Sequence, residues 1–320
     1  MKREYIVDIM RVLFAMEVIC FWHLQEYINI SIGGLTHTIG AILTTMSLGG
    51  FTFLSGYCLR KYSFLSWSDV AGFYKKRFKR FYPLFFISAT SLYIAGLVFG
   101  KNWFHGTGHY IMTLLGVTSI FPPGAGTIWY ISMLILLYLI TPLFRSLPKC
   151  KSILFCIVLY VVLWINNIIS NGIFIDNNLL IYYPAYFFGL FWPQVKTLRI
   201  NKIAGTVIFI ATALLIFMVY KYTNVRIEQN IGFRVFFAII SVPIGIYIAR
   251  GISHILFIRP TVEKMSYASM CAYLFHRQIY NGVSFVMGGG ISVLIALIMA
   301  VLTFVIAYFL QKLYDFLMSN

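Results

Sequence analysis

The sequence predicts an all-α polytopic membrane protein of about ten transmembrane helices, with both termini inside (N-in, C-in). Three observations carry this. Of the 320 residues, 60% are hydrophobic and only 11% charged, where a soluble domain is about a quarter charged. The apolar stretches run for about 20 residues, the length a helix needs to cross a hydrocarbon core of about 30 Å. They also lack the every-second-residue alternation of an outer-membrane barrel. Finally, the basic residues fall in alternate loops, as topology by positive charge requires.

Taken in order, the spans lie near 5–25, 37–59, 81–100, 127–146, 152–170, 179–195, 203–221, 233–250, 267–287 and 291–313. The run His109–Phe121 is too short to cross, and Pro122-Pro123-Gly124 behind it marks a re-entrant or interfacial piece. With the N-terminus inside, the first inner loop holds Arg60, Lys61, Lys75, Lys76, Arg77, Lys79 and Arg80. Later inner loops hold Arg145, Lys149 and Lys151, then Lys196, Arg199 and Lys202, then Arg250, Arg259 and Lys264. The outer loops keep only Lys101, Lys221, Arg226 and Arg234. Topology therefore explains the net charge of +16, and no nucleic-acid partner is called for.

Cys20, Cys58, Cys150, Cys156 and Cys271 lie in or beside apolar segments without metal-ligand spacing, so they read as small buried hydrophobes and no metal is expected. Lys2 and Arg3 precede an apolar run as in a signal peptide. No small-residue cleavage site follows and the run holds Arg and Glu, so it is expected to stay as a helix. Without paired halves or low-complexity segments, residues 1–320 read as one membrane domain.

Three stretches could carry chemistry. The first span contains Asp8, Arg11, Glu17 and His23, although Arg or Asp at a membrane-helix centre costs about 2.5–3.5 kcal/mol. Arg11 and His23 are twelve residues apart, which leaves them roughly 120° apart around a regular helix. Either they serve different surroundings or the helix is irregular, as single-turn π-bulges at functional sites are. Blander readings stand beside these: Arg11 snorkelling to the inner headgroups and His23 capping the outer end. In the second stretch, Ser66–Pro83, Ser68 or Asp69 could cap a short helix. Its Arg77 and Arg80, three apart on one face, suit an anionic ligand, and the positive-inside rule alone also accounts for them. The third, Ser266–Tyr280, places His276 and Arg277 deep in the membrane, with Arg277 a candidate partner for Glu17.

Together these residues resemble the integral-membrane acyltransferase type 3 family, which includes O-acetyltransferases of bacterial surface polysaccharides. Asp8, Arg11 and His23 resemble its opening motif, and Phe53, Ser55 and Gly56 its second-helix end. Arg77, Arg80 and Pro83 resemble its Arg-x-x-Arg entry to the third helix. Trp129, Tyr138 and Pro142 follow its aromatic pattern, and Tyr273, Leu274 and His276 its late Tyr-Leu-x-His. The family usually has ten residues between the motif Arg and His, whereas eleven stand here. Ala15 matches the small residue eight before the His, which puts the extra residue, and a local bulge, between Arg11 and Ala15.

The resemblance implies transfer of an acyl group, acetyl first, from cytosolic acyl-CoA to a hydroxyl of a cell-surface or lipid-linked glycan. It places the protein in the bacterial cytoplasmic membrane. His23 would be catalytic base or transient acyl carrier, with Asp8 and Arg11 placing the donor. Lys76, Arg77 and Arg80 would hold the CoA phosphates. Ser55, Trp129, Tyr138 and His276 would line the substrate pocket. His23 lies about 27 Å from the inner end of its helix, which favours an outer acceptor. The partners implied are the lipid bilayer, acyl-CoA and a glycan, and the sequence leaves a homo-oligomer open. A transporter or flippase, or a non-catalytic partner in polysaccharide export, stands as the alternative.

Overall fold

The computed structural model describes residues 4–28, 35–99, 103–192, 202–222, 230–288 and 291–319. Among these the chain forms helices and no strands; Ile28 and Ile291 make an isolated parallel bridge. The α-helices are α1 (Tyr5–Met16), α2 (Leu35–Leu59), α3 (Trp67–Phe99), α4 (Thr107–Leu114), α5 (Trp129–Ser146) and α6 (Lys149–Ile169). They continue with α7 (Asn177–Phe191), α8 (Lys202–Tyr222), α9 (Ile231–Ser253), α10 (Arg259–Val286) and α11 (Val293–Ser319).

Six helices among the described residues are long and apolar enough to cross a bilayer: α2, α3, α5 with its leading turn, α6, α9 and α11. The other four expected spans are helical but miss that measure for physical reasons. α1 is charged and changes its winding after Met16. α7 has only 15 residues, and the apolar part of α8 is Ile203–Met218. α10 carries Arg259, Glu263, Lys264, His276 and Arg277.

Two further expectations change. The basic stretch after Ser66 is not a separate short helix. It is the first half of α3, which runs unbroken for 33 residues, about 50 Å. Its cap is Ser66, not Ser68 or Asp69. The Ser66 hydroxyl accepts from the Asp69 N–H at 3.2 Å, and the Asp69 carboxylate accepts from the Ser66 N–H at 2.9 Å, a reciprocal capping box. Of the cysteines, only Cys156 and Cys271 are buried, and Cys150 is exposed. The run His109–Phe121, by contrast, does break up as expected: the eight-residue α4 and a single 3₁₀ turn, too short to span.

α2 packs against α1, α7 and α9, while α10 packs against α1, α3 and α11. α1 is therefore held between α2 and α9 on one side and α10 on the other. α6 and α11 turn apolar faces outward, with Leu154, Ile157, Val301 and Phe309 all exposed, as a lipid-facing surface requires. α2 and α7 approach each other backbone to backbone. A Cβ on Gly56 would sit 2.0 Å from the Tyr186 carbonyl oxygen, and one on Gly189 would sit 2.1 Å from that of Phe53. Small residues permit such backbone contact between membrane helices. Two of the helix-interior prolines, Pro83 and Pro184, are accommodated by tyrosines. Pro83 cannot donate to the Lys79 carbonyl, which instead accepts from the Tyr314 hydroxyl of α11. Pro184 likewise frees the Leu180 carbonyl, which accepts from Tyr160 of α6 at 3.0 Å.

Candidate active site

The N-terminal half of the first helix is a regular α-helix pinned to α10. The Ser266 hydroxyl donates to Asp8 Oδ1 at 2.5 Å, and Arg11 Nη1 donates to the same hydroxyl at 3.1 Å. Arg11 also lies 3.6 Å from Asp8 Oδ1. Asp8 is buried and its charge is matched in place, so neither residue is a bare charge in the membrane.

Beyond Met16 the winding widens, and Glu17–His23 is a π-helix followed by a 3₁₀ turn, Leu24–Tyr27. The expected bulge therefore exists in this helix, but between Glu17 and His23 rather than between Arg11 and Ala15. The reason is local: Asp8 and Arg11 lock the inner turns to Ser266, and the slack is taken up where other partners hold the backbone. The Tyr280 hydroxyl donates to the Ile19 carbonyl at 3.1 Å, and Thr44 donates to Glu17 Oε1 at 3.0 Å. A π-turn advances fewer degrees per residue than an α-turn. Arg11 and His23, 120° apart on a regular helix, thus both address α10.

His23 meets His276. Nδ1 of His23 lies 2.8 Å from Nε2 of His276, and Nδ1 of His276 lies 2.7 Å from the Tyr273 carbonyl oxygen. The ring planes differ by 10° with centroids 4.8 Å apart. The nitrogens are far closer than the centroids, so the rings meet edge to edge through a hydrogen bond rather than face to face. His276 is fully buried, whereas His23 retains 9% exposure.

Arg277 does not answer Glu17. Its guanidinium forks onto Glu26, Nη1 to Oε2 at 2.6 Å and Nη2 to Oε1 at 2.9 Å, and its Nε donates to Thr127 Oγ1 at 2.9 Å. Such bidentate pairs are the strong ones. Glu26 sits just beyond His23, and its carboxylate is half-exposed. Glu17 turns instead to α2, and its Oε2 is buried without a partner.

The remaining expected residues divide between the two ends. Trp129 stacks on Tyr182 with centroids 5.8 Å apart. Thr127, two residues before it, is bound by both Tyr273 and Arg277. Tyr138 lies nine residues further along α5, about 14 Å along its axis. There the Arg77 guanidinium stands 5.7–5.9 Å from the ring centroids of Tyr138, Tyr62 and Phe73. Arg80, expected on the same face as Arg77, is exposed, as are Lys75, Lys76 and Lys79, while Arg77 is half-buried. Ser55 donates back to the Phe51 carbonyl at 2.9 Å, one turn earlier on its own helix. A Cβ on Gly50 would touch Phe14, while Thr44 bonds Glu17. Since α2 runs antiparallel to α1, Ser55 falls toward the N-terminal end of α1 from Phe14 and away from His23.

The structure adds residues that the sequence did not single out. Ser266, Glu26, Thr127 and Tyr280 each bond one of the expected groups or its supporting backbone. Glu26 alone left a legible sign, an acid three residues past His23 at the span's end.

Six long apolar helices among the described residues, packed around a buried, hydrogen-bonded histidine pair, define the class: a multi-pass membrane protein. The chain belongs to the integral-membrane acyltransferase type 3 family: the family model described as an acyltransferase domain matches residues 4–312, nearly its whole length. Neither the curated proteins nor the solved structures gave a match.

Proposed function

We propose that the protein is an O-acyltransferase of the bacterial cytoplasmic membrane. It moves an acyl group, acetyl in the first instance, from cytosolic acyl-CoA to a hydroxyl of a cell-surface or lipid-linked glycan. The observation that carries this is the hydrogen-bonded histidine pair, His23 with His276, at the far end of a helix whose near end lies on the basic side. In this reading α1, α7, α8 and α10 cross the membrane together with the six long apolar helices, giving ten traverses with both termini inside.

A thioester carbonyl must meet a hydroxyl that is a poor nucleophile at neutral pH. A histidine with a free ring nitrogen can take the hydroxyl proton as attack proceeds, or carry the acyl group itself. His23 fills that role, since it retains exposure while its partner is sealed. Arg77, turned in over Tyr138, is best placed to bind a CoA phosphate at the inner mouth, with Lys76 and Arg80 adding charge outside it. The extended arm of the donor would then run outward past the Asp8–Arg11–Ser266 cluster. Trp129 and Tyr182 would offer an aromatic wall to the acceptor. His23→Ala should abolish transfer of labelled acetyl from acetyl-CoA to the cell's glycan while leaving membrane expression intact. Full activity in that variant overturns the assignment, and the absence of any transfer by the wild type would favour a transporter or export partner.

A further inference from the structure

We propose that His276 is a positioning residue that fixes the tautomer of His23, leaving Nε2 of His23 as the reactive nitrogen. This rests on the acyl transfer proposed above, and it follows from two consecutive hydrogen bonds. The Tyr273 carbonyl oxygen can only accept, so Nδ1 of His276, 2.7 Å away, carries a proton. In a neutral ring the other nitrogen is then bare. Nε2 of His276 therefore accepts, and the atom 2.8 Å from it, Nδ1 of His23, donates. That places the lone pair of neutral His23 on Nε2. The opposite tautomer of His23 would set two lone pairs against each other inside the protein, each a buried acceptor left unsatisfied.

Packing holds the arrangement in place. The rings of Tyr273 and Tyr280 flank His276 at centroid distances of 5.9 and 5.6 Å, and His276 has no exposed surface through which to turn away. The charged groups nearest the pair are Arg277 from α10 and Glu26 from the turn after His23, and these two are committed to each other. The backing group is thus a neutral acceptor rather than a carboxylate.

In the reaction the acceptor hydroxyl gives its proton to Nε2 of His23 as its oxygen bonds the thioester carbonyl carbon. The carbon–sulfur bond breaks, and the departing thiolate takes that proton from Nε2, so His23 is restored. While His23 is cationic, its Nδ1–H continues to donate to His276, which stays neutral throughout. His276 touches neither substrate and acts only through His23. This replaces its expected place in the substrate pocket.

In the serine-protease triad, an orienting group that sets the wrong histidine tautomer lowers kcat by about 10⁴-fold. His276→Leu is expected to lower kcat by about 10³-fold or more, leaving the KM for acetyl-CoA within about twofold, the signature of lost transition-state support without lost donor binding. His276→Gln, whose amide oxygen can accept the same bond, should stay within about tenfold of wild type. In a His23→Ala background, His276→Leu should cost nothing further, because residues acting as one unit are not additive. The direct readout is imidazole ¹⁵N chemical shifts of histidine-labelled wild type in detergent, with His23 assigned by its loss in His23→Ala. Protonation of His23 at Nδ1 is expected; protonation at Nε2, or wild-type kcat in His276→Leu, overturns the proposal. The spectrum needs neither turnover nor a folded Leu variant. A wild type with the expected tautomer but no acyl transfer would therefore overturn the function alone.

Discussion

The hydroxyl of Tyr280 on α10 donates to the carbonyl oxygen of Ile19, 3.1 Å away, inside the one stretch where the first helix widens. Tyr280 lies one turn beyond His276 on α10, so the same helix face that binds His23 also holds the backbone that presents it. Removing the hydroxyl leaves that carbonyl without its donor in a dry interior, a loss of about 1–2 kcal/mol. Tyr280→Phe is therefore expected to lower the unfolding temperature in detergent and to reduce acyl transfer several-fold as His23 drifts from His276. A variant equal to wild type in both measurements would show that the widened segment holds its shape without Tyr280.

In the Arg277–Glu26 pair, Arg277 is 6% exposed in its side chain and Glu26 51%. Arg277 thus carries the buried half of the pair, and loss of Glu26 leaves a sheltered guanidinium bound only by neutral groups, Thr127 and Tyr27. Truncating one partner of a buried pair costs more than the pair itself contributes. Glu26→Ala is expected to destabilise by about 1–3 kcal/mol, and Arg277→Met combined with it should recover part of that loss. Thermal unfolding of the two single variants and the double variant measures the coupling. Simple additivity would mean the fork is not an energetic unit.

How much of this was legible beforehand depended on the kind of signal. Helical class followed from apolar run length, and the run His109–Phe121 was set aside because it is too short to cross. His23, His276 and Arg11 stood out because ionisable groups in apolar spans are costly. Their pairings were not legible. His23 with His276 joins residues 253 apart in sequence, and no local pattern says which two faces meet. Arg277 was matched to Glu17 because Glu17 is the acid well inside the first span, whereas the exposed Glu26 beyond the span wins because a forked geometry is available there. The bulge was inferred from an excess residue, but its position depends on which turns are pinned, and Ser266, Thr44 and Tyr280 lie on other helices. Spacing also put Arg77 and Arg80 on one face; the tertiary packing of Tyr62 and Tyr138 turns only the first of them inward.

The tyrosines that answer the helix prolines give an independent check on the packing. Tyr314 serves the Lys79 carbonyl left free by Pro83, and Tyr160 serves the Leu180 carbonyl left free by Pro184. Each hydroxyl joins a different helix pair, α11 to α3 and α6 to α7. Tyr314→Phe and Tyr160→Phe are each expected to cost about 1 kcal/mol, and the double variant should show the sum, since the two sites share no partner. Unfolding temperatures of the three variants test this. A neutral Tyr314→Phe would mean that the carbonyl of Lys79, an exposed residue, finds another donor.

Arg77 and Arg80 offer the sharpest contrast between sequence spacing and folded position. Both belong to the Arg-x-x-Arg stretch, and as a pair they would share a phosphate. In the folded chain the Arg77 guanidinium stands among Tyr62, Phe73 and Tyr138, while Arg80, one turn further along α3, is exposed. A guanidinium held by aromatic rings is already ordered, so it loses little freedom on binding an anion. An exposed one contributes through a screened field that falls off over about 8 Å at physiological salt. Arg77→Ala is therefore expected to raise the KM for acetyl-CoA by about tenfold or more, equivalent to about 1.4 kcal/mol. Arg80→Ala should raise it by about threefold or less, and only at low ionic strength. Arg77→Lys, which keeps the charge but loses the planar fork, should fall between them. Initial rates across acetyl-CoA concentrations at two salt levels decide the matter, and equal effects of the two alanine variants would return the site to a shared clamp.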